Sequence, residues 1–296
     1  MARIAIVGVG AIGGVVAGLL QSAGRHELVL CVRRPQCEVV VETPGGEMLL
    51  DATIVANPDD APAVDWVMVA TKAYDVASAA KWLERLCIEG APVAVLQNGV
   101  EHRERFAPYV AADRIVPVIV DCPAERKSPE RIVQRGGMSL KVPEGGLGAE
   151  FVELFAGTDA DAAVVPDWVT VAWRKLCHNS AGVLSALLMR PNEMMHDEAI
   201  GDVARQIVRE CCAVGRAEGA VLSDAVPDEV LAAYRKAARD GVNSMLADRV
   251  AGRPMEIDAR NGVIKRMGRK HGIPTPGNSM AVALLEAMVR GNRGSA

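Results

Sequence analysis

The sequence predicts an α/β N-terminal domain with a doubly wound parallel sheet, followed by an all-α C-terminal domain. Three observations carry this. Short β-branched runs alternate with helical stretches through the first half of the chain, the pattern of a parallel sheet covered on both faces. A glycine-rich turn joins the first run to the first helical stretch. After about residue 165 the apolar spacing is helical throughout, with no convincing strand left.

Arg3–Val7 is β-branched and ends in glycine, as a buried parallel strand does. Ala11–Ser22 follows as an apolar helix, with Gly24 near its end. Glu27–Val32 is a second strand. Val39–Glu42 and Glu47–Leu50 flank Pro44-Gly45-Gly46 and read as a hairpin. Trp66–Ala70 is another buried strand, followed by a helix from about Tyr74 to Leu86. Pro92–Leu96 and Ile115–Val120 complete the strands. In the second half, Val169–Met189, Ala199–Ala217, Asp228–Ala238, Glu256–Lys270 and Gly277–Arg290 read as helices. Gly272 and Pro274 stop the fourth of these. The tail beyond Arg290 is expected to fray. Pro166-Asp167 can start the long helix, so the expected domains are 1–165 and 166–296.

Composition narrows the function classes. The net charge is −4, and nothing here suggests electrostatic binding of nucleic acid, which usually needs a clustered basic surface. No stretch approaches the roughly 18 apolar residues of a membrane span. The apolar start, Met1 to Gly8, is too short for a signal peptide. Seven cysteines, at 31, 37, 87, 122, 177, 211 and 212, form no zinc-spaced set. They are expected to be buried free thiols of a cytoplasmic protein without a metal.

Gly8-Val9-Gly10-Ala11-Ile12-Gly13 matches GxGxxG between a strand and a helix. That context turns a weak pattern into the Rossmann dinucleotide fingerprint. Gly8 makes the tight turn, Gly10 admits the pyrophosphate, and Gly13 lets helix and strand pack closely. The helix N-terminus, with Ala11 and Ile12 in its first turn, offers free N–H groups to the phosphates. At the end of the second strand stand Arg33-Arg34, where an acidic residue would select NAD. An arginine fork suits a 2′-phosphate, so the expected cofactor is NADPH.

Trp173-Arg174-Lys175-Leu176-Cys177-His178-Asn179-Ser180 lies on the long helix. Lys175 and Asn179 are four apart and share a face. A lysine on a mostly buried helix is paired, snorkels, or titrates low; a solvated face is the bland alternative. Glu256 opens a helical stretch, where capping would explain it as well, and Ser244 could likewise be a cap. His178 reads as packed at a helix edge.

Taken together, these pieces resemble the ketopantoate reductase (2-dehydropantoate 2-reductase) family. The resemblance runs through Gly8 to Gly13, Thr71-Lys72-Ala73-Tyr74, Gln97-Asn98-Gly99-Val100, Trp173-Arg174-Lys175-Leu176, Asn179, Ser244-Met245-Leu246, Glu256-Ile257-Asp258 and His271 to Pro276. It spans nearly the whole chain, in order. It implies that Lys175 protonates the carbonyl oxygen as hydride arrives from the nicotinamide. It implies that Glu256 contacts the nascent hydroxyl and that Ser244 binds the substrate carboxylate. Asn98 and Lys72 would stand beside the nicotinamide ribose and the reacting centre, Asn98 touching substrate as well, with Asn179 at the far end of the substrate and Arg33 on the 2′-phosphate. One position departs. The family's best-studied members carry a second asparagine four residues after Asn179, where this sequence has Val183, and valine cannot hydrogen-bond a distal hydroxyl.

Three readings follow: NADPH-dependent reduction of ketopantoate to pantoate, reduction of another small oxo acid by the same fold, or a non-catalytic dinucleotide-binding sensor. A sensor has no reason to keep Lys175 and Glu256 together. The apolar C-terminal helices leave a homodimer open.

Overall fold

The computed structural model describes residues 1–35 and 38–293. The chain divides into two compact units, Met1–Trp168 and Val169–Ala296.

The first unit opens with β1 (Ala2–Val7), α1 (Ala11–Ser22), β2 (His26–Cys31), β3 (Val40–Thr43), β4 (Gly46–Leu49) and β5 (Thr53–Val55). It continues with β6 (Trp66–Val69), α2 (Val76–Leu86), β7 (Val93–Val95), α3 (His102–Phe106) and β8 (Ile115–Pro117). It closes with β9 (Ile119–Asp121), β10 (Ala124–Arg126), β11 (Arg131–Gln134), β12 (Ser139–Pro143), α4 (Gly146–Leu154) and β13 (Asp161–Val165). Six strands form one parallel sheet in the order β5-β2-β1-β6-β7-β8. The chain reverses direction of growth between β1 and β6, the switch point where such sheets take ligands.

Strand alternation explains why this sheet is buried on both faces. Ile4, Ile6, Leu28, Leu30, Trp66, Met68 and Ala94 enter one apolar cluster. Their neighbours Ala5, Val7, Val29, Cys31, Val67, Val69 and Val93 enter another, with Trp82, Leu83 and Phe106 from α2 and α3. The parallel sheet expected from the sequence is therefore present. Two smaller sheets were not foreseen. The hairpin of β3 and β4 forms, but in a separate sheet of order β10-β11-β3-β4. The stretch Ile115–Val120 is two strands, not one. β8 pairs with β7, Val118 N–H donates to Val95 O at 3.0 Å, and β9 then crosses to a sheet with β12 and β13.

The second unit is helical: α5 (Trp168–Ala181), α6 (Val183–Leu188), α7 (Glu198–Ala217), α8 (Val226–Lys236), α9 (Ser244–Val250), α10 (Val263–His271) and α11 (Pro276–Arg293). Two helices differ from expectation. The predicted single helix Val169–Met189 breaks at Gly182, where an added Cβ would lie 2.8 Å from Tyr234 Oη and 2.9 Å from Asn243 Nδ2. The predicted helix Glu256–Lys270 begins instead with a π-turn, Asp258–Gly262, closed by Gly262 N–H to Ile257 O at 2.9 Å. Inserted π-turns recur at functional sites. The C-terminal helix reaches Arg293; the rest of the tail expected to fray lies outside the described residues.

Glu210 anchors α11. Its buried carboxylate accepts from Gly277 N–H at 2.8 Å, Asn278 N–H at 2.9 Å and Asn278 Nδ2 at 2.7 Å. A carboxylate at a helix N-terminus satisfies donors the helix leaves open. Among the described cysteines all are free: Cys31, Cys177, Cys211 and Cys212 are buried, while Cys87 and Cys122 are only half-buried. Cys37 lies outside the described residues. Among the described residues no helix is long and apolar enough to cross a membrane, and no cluster of His, Cys, Asp and Glu suits a metal.

Candidate active site

In the first unit, strand register builds a row of functional residues. Cys31, Val7, Val69 and Val95 sit side by side at the carboxyl ends of β2, β1, β6 and β7. The residues that leave those ends are Arg33, Gly8, Lys72 and Asn98, so all four fall along one edge of the sheet.

The glycine loop has the geometry its sequence promises. Gly8 has φ +96°, and its N–H donates to Cys31 O at 3.2 Å. A Cβ on Gly8 would lie 2.7 Å from Thr71 Cγ2, and one on Gly13 would overlap Gly8 O. Gly10 is different: nothing lies within 4 Å of where its Cβ would be. The position is thus open toward solvent rather than pinned by packing. Gly10 also precedes α1 with no side-chain cap, and the first turn, which holds Ala11 and Ile12, carries no acidic residue. The helix N–H groups and dipole therefore face an open space suited to an anion.

Arg33 is largely exposed, with Nη1 3.5 Å from Asp75 Oδ2. Arg126 on β10 lies within its electrostatic reach. Burial pushes the Arg126 guanidinium below its usual pKa, Glu130 opposes that, and the charge of Arg33 adds to it. Two like charges held in range favour an anion there. The Lys72 and Asn98 segments are fastened to one another. Gln97 Nε2 donates to Thr71 Oγ1 at 2.9 Å and to Lys72 O at 3.2 Å, and His102 Nε2 donates to Gln97 O at 2.8 Å.

In the second unit, Lys175 and Asn179 are both half-buried on α5, between the buried Trp173, Leu176, Cys177 and Ser180. His178 is not part of that face. Its ring stacks on Tyr234 with centroids 4.4 Å apart, and Tyr234 Oη donates to the His178 carbonyl at 3.0 Å. Burial pushes the Tyr234 phenol up to about 12. Val183 is fully buried.

Ser244 is the first residue of α9, but it does not cap it. Asn243 does: its Oδ1 accepts from Leu246 N–H at 3.0 Å and its Nδ2 donates to Gly182 O at 3.0 Å. Capping, the bland explanation of Ser244, is therefore gone. Ser244 Oγ instead accepts from Arg260 Nη2 at 2.8 Å. Glu256 precedes the π-turn rather than opening a helix; it is 5% exposed and close enough to Arg260 to act on its charge. Sequence reasoning missed Arg260. A cation in a segment rich in Arg and Lys reads as a solvated face, although Arg260 stands at helical spacing from the buried Glu256, Val263 and Ile264.

The comparisons decide the family. The chain matches the family described as ketopantoate reductase PanE/ApbA over residues 4–146, and its C-terminal counterpart over residues 167–289. It belongs to the ketopantoate reductase family. A 2-dehydropantoate 2-reductase of Caulobacter vibrioides is 49% identical over 287 residues, covering 97% of this chain and 99% of that one. The crystal structure of a 2-dehydropantoate 2-reductase from Geobacter metallireducens has TM-score 0.90 at 26% identity, covering 97% of this chain and 99% of its own. A ternary structure of D-mandelate dehydrogenase with NADH and anilino(oxo)acetate has TM-score 0.88 at 22% identity, covering 98% and 99%, and shows the shared fold. The chain is therefore a dinucleotide-binding oxidoreductase, and the non-catalytic sensor reading falls.

Proposed function

We propose that this chain reduces 2-dehydropantoate (ketopantoate) to pantoate with NADPH, the 166–296 part supplying the substrate-binding and proton-donating groups. The observation that carries the reading is Ser244. Its hydroxyl is released from capping and held by a buried arginine beside a buried Glu256, in a chain that matches a 2-dehydropantoate 2-reductase end to end.

The residues present fit the cofactor. Gly10 leaves room for a pyrophosphate and α1 offers its N-terminal N–H groups, while Arg33, with Arg126 in range, suits a 2′-phosphate. When bound, NADPH supplies the hydride. Lys72 and Asn98 orient the nicotinamide ribose from the strand ends. Ser244 donates to the substrate carboxylate. Lys175 holds a proton at the carbonyl oxygen, where negative charge develops. Glu256 accepts from the new hydroxyl, and Asn179 contacts the distal end of the substrate.

A second reading is reduction of another small oxo acid, and Val183 favours it. That position is apolar and fully buried, so it offers a distal hydroxyl nothing. Oxidation of NADPH with a panel of 2-oxo acids separates the two. Ketopantoate is expected to give the highest kcat/KM, and turnover confined to a different acid overturns the substrate. Arg33→Ala is expected to cut the preference for NADPH over NADH about ten- to hundredfold; an unchanged preference overturns the role of Arg33.

A further inference from the structure

Arg260 is a cation almost wholly withdrawn from water, 4% exposed. A buried charge is costly unless acceptors and opposite charge surround it. Its surroundings are incomplete. Nη2 donates to Ser244 Oγ at 2.8 Å. Nε is buried with no hydrogen-bond partner. The acidic groups in range are Glu256, Tyr234 and Asp248, and Asp248 already accepts from Arg253 Nε at 2.9 Å. Burial lowers the affinity of the guanidinium for its proton, with Glu256 opposing, yet arginine stays charged in proteins.

This arrangement has a chemical direction. Ser244 Oγ accepts from the guanidinium, so its own hydrogen points elsewhere. Asn243 caps α9, so the Ser244 oxygen is not taken up by the N–H groups of that helix. Nε and Nη2 lie on one edge of the planar guanidinium fork, and the Nε donor on that edge has nothing to hold. The fork stands in the π-turn of residues 258–262 and meets Ser244, sixteen residues away in sequence.

We infer that Arg260 is a positioning residue for the substrate's carboxylate: it fixes the Ser244 hydroxyl as a donor, and its buried charge makes that position select an anionic end group over a neutral one. The inference rests on the proposed role of Ser244.

The test uses the full chain, ketopantoate and its uncharged methyl ester, with Arg260→Met and Arg260→Lys. In Arg260→Met, KM for the acid is expected to rise about tenfold or more, with kcat falling less. KM for the ester should rise less, since the ester keeps the Ser244 hydrogen bond to lose but no charge, and NADPH affinity should stay as in the wild type. Arg260→Lys keeps the charge but loses the fork, so it should restore part of the discrimination between acid and ester. Equal losses on acid and ester, or no change on either, overturn the inference. Should Arg260→Met fail to fold, Arg260→Lys alone decides: a rise in KM greater for the acid than for the ester supports the inference, and an equal rise on both, or none, overturns it. A wild type that reduces no 2-oxo acid overturns the proposed function itself, and that shows before any variant is compared.

Discussion

The glycine loop of the first unit and the Ser244–Arg260 cluster of the second are built from different materials. The loop is made of backbone. Its donors are N–H groups of α1, its shape follows from the absent side chains of Gly8, Gly10 and Gly13, and all of it lies within one strand, one turn and one helix. The cluster is made of side chains. Ser244, Glu256 and Arg260 come from α9, a loop and a π-turn, and none has its role without the others. A backbone site depends on local conformation and announces itself in six residues. A side-chain site depends on tertiary packing and does not.

That contrast sets what substitutions should do. The largest effect belongs to a side chain: Lys175→Ala should cut kcat by at least about a hundredfold while NADPH still binds, in a fluorescence titration run beside the assay. A near-normal kcat would remove Lys175 from the chemistry. The loop should split two effects that a side-chain site would mix. Gly10→Asp, with nothing within 4 Å of its Cβ, should leave the melting temperature near wild type. Its carboxylate at the α1 N-terminus should weaken NADPH binding about tenfold or more. Gly13→Ala should instead lower stability by about 1–3 kcal/mol, because its Cβ overlaps Gly8 O. Equal loss of stability in both would make the loop merely a packing device.

The smallest effect concerns a long-range tie in the helical unit. Glu218 closes α7 and binds Lys270 Nζ at 2.9 Å and His271 Nε2. Burial alone would raise the Glu218 carboxyl, but the hydrogen bonds and charges of Lys270 and His271 outweigh it and hold it below the ordinary 4.5. A group depressed on folding contributes stability above its unfolded pKa and loses it as pH falls through the folded value. Glu218→Gln should therefore flatten the fall in urea midpoint between about pH 5 and the depressed pKa, an effect below about 1 kcal/mol. An unaltered pH profile would show the tie to be idle.

Legibility in the sequence follows the same division. Five strands of the parallel sheet were readable because each is a short apolar run ended by a turn, while its edge strand β5, only three residues long, went unread. β10, three residues reading Ala124-Glu125-Arg126 with an exposed edge, gave no pattern to read, so the sheet around the hairpin went unseen. The break at Gly182 was hidden inside a continuous helical periodicity. α9 was missed because it spans only seven residues, although Asn243 at its start was a capping signal. Arg260 was invisible for a physical reason. An arginine close to Lys265, Arg266, Arg269 and Lys270 reads as part of a solvated face, although it stands four residues after Glu256 and shares its face at ordinary helical spacing.

The crossing at Val118 ties two sheets by a single peptide step. Pro117 ends β8 in the parallel sheet and Ile119 begins β9 in the sheet of β12 and β13. A ribbon stitched into both cannot be peeled from one without pulling on the other. Amide protons of the two sheets should then exchange with solvent in common opening events, so the edge that presents Asn98 borrows its stiffness from the layer of β9, β12 and β13.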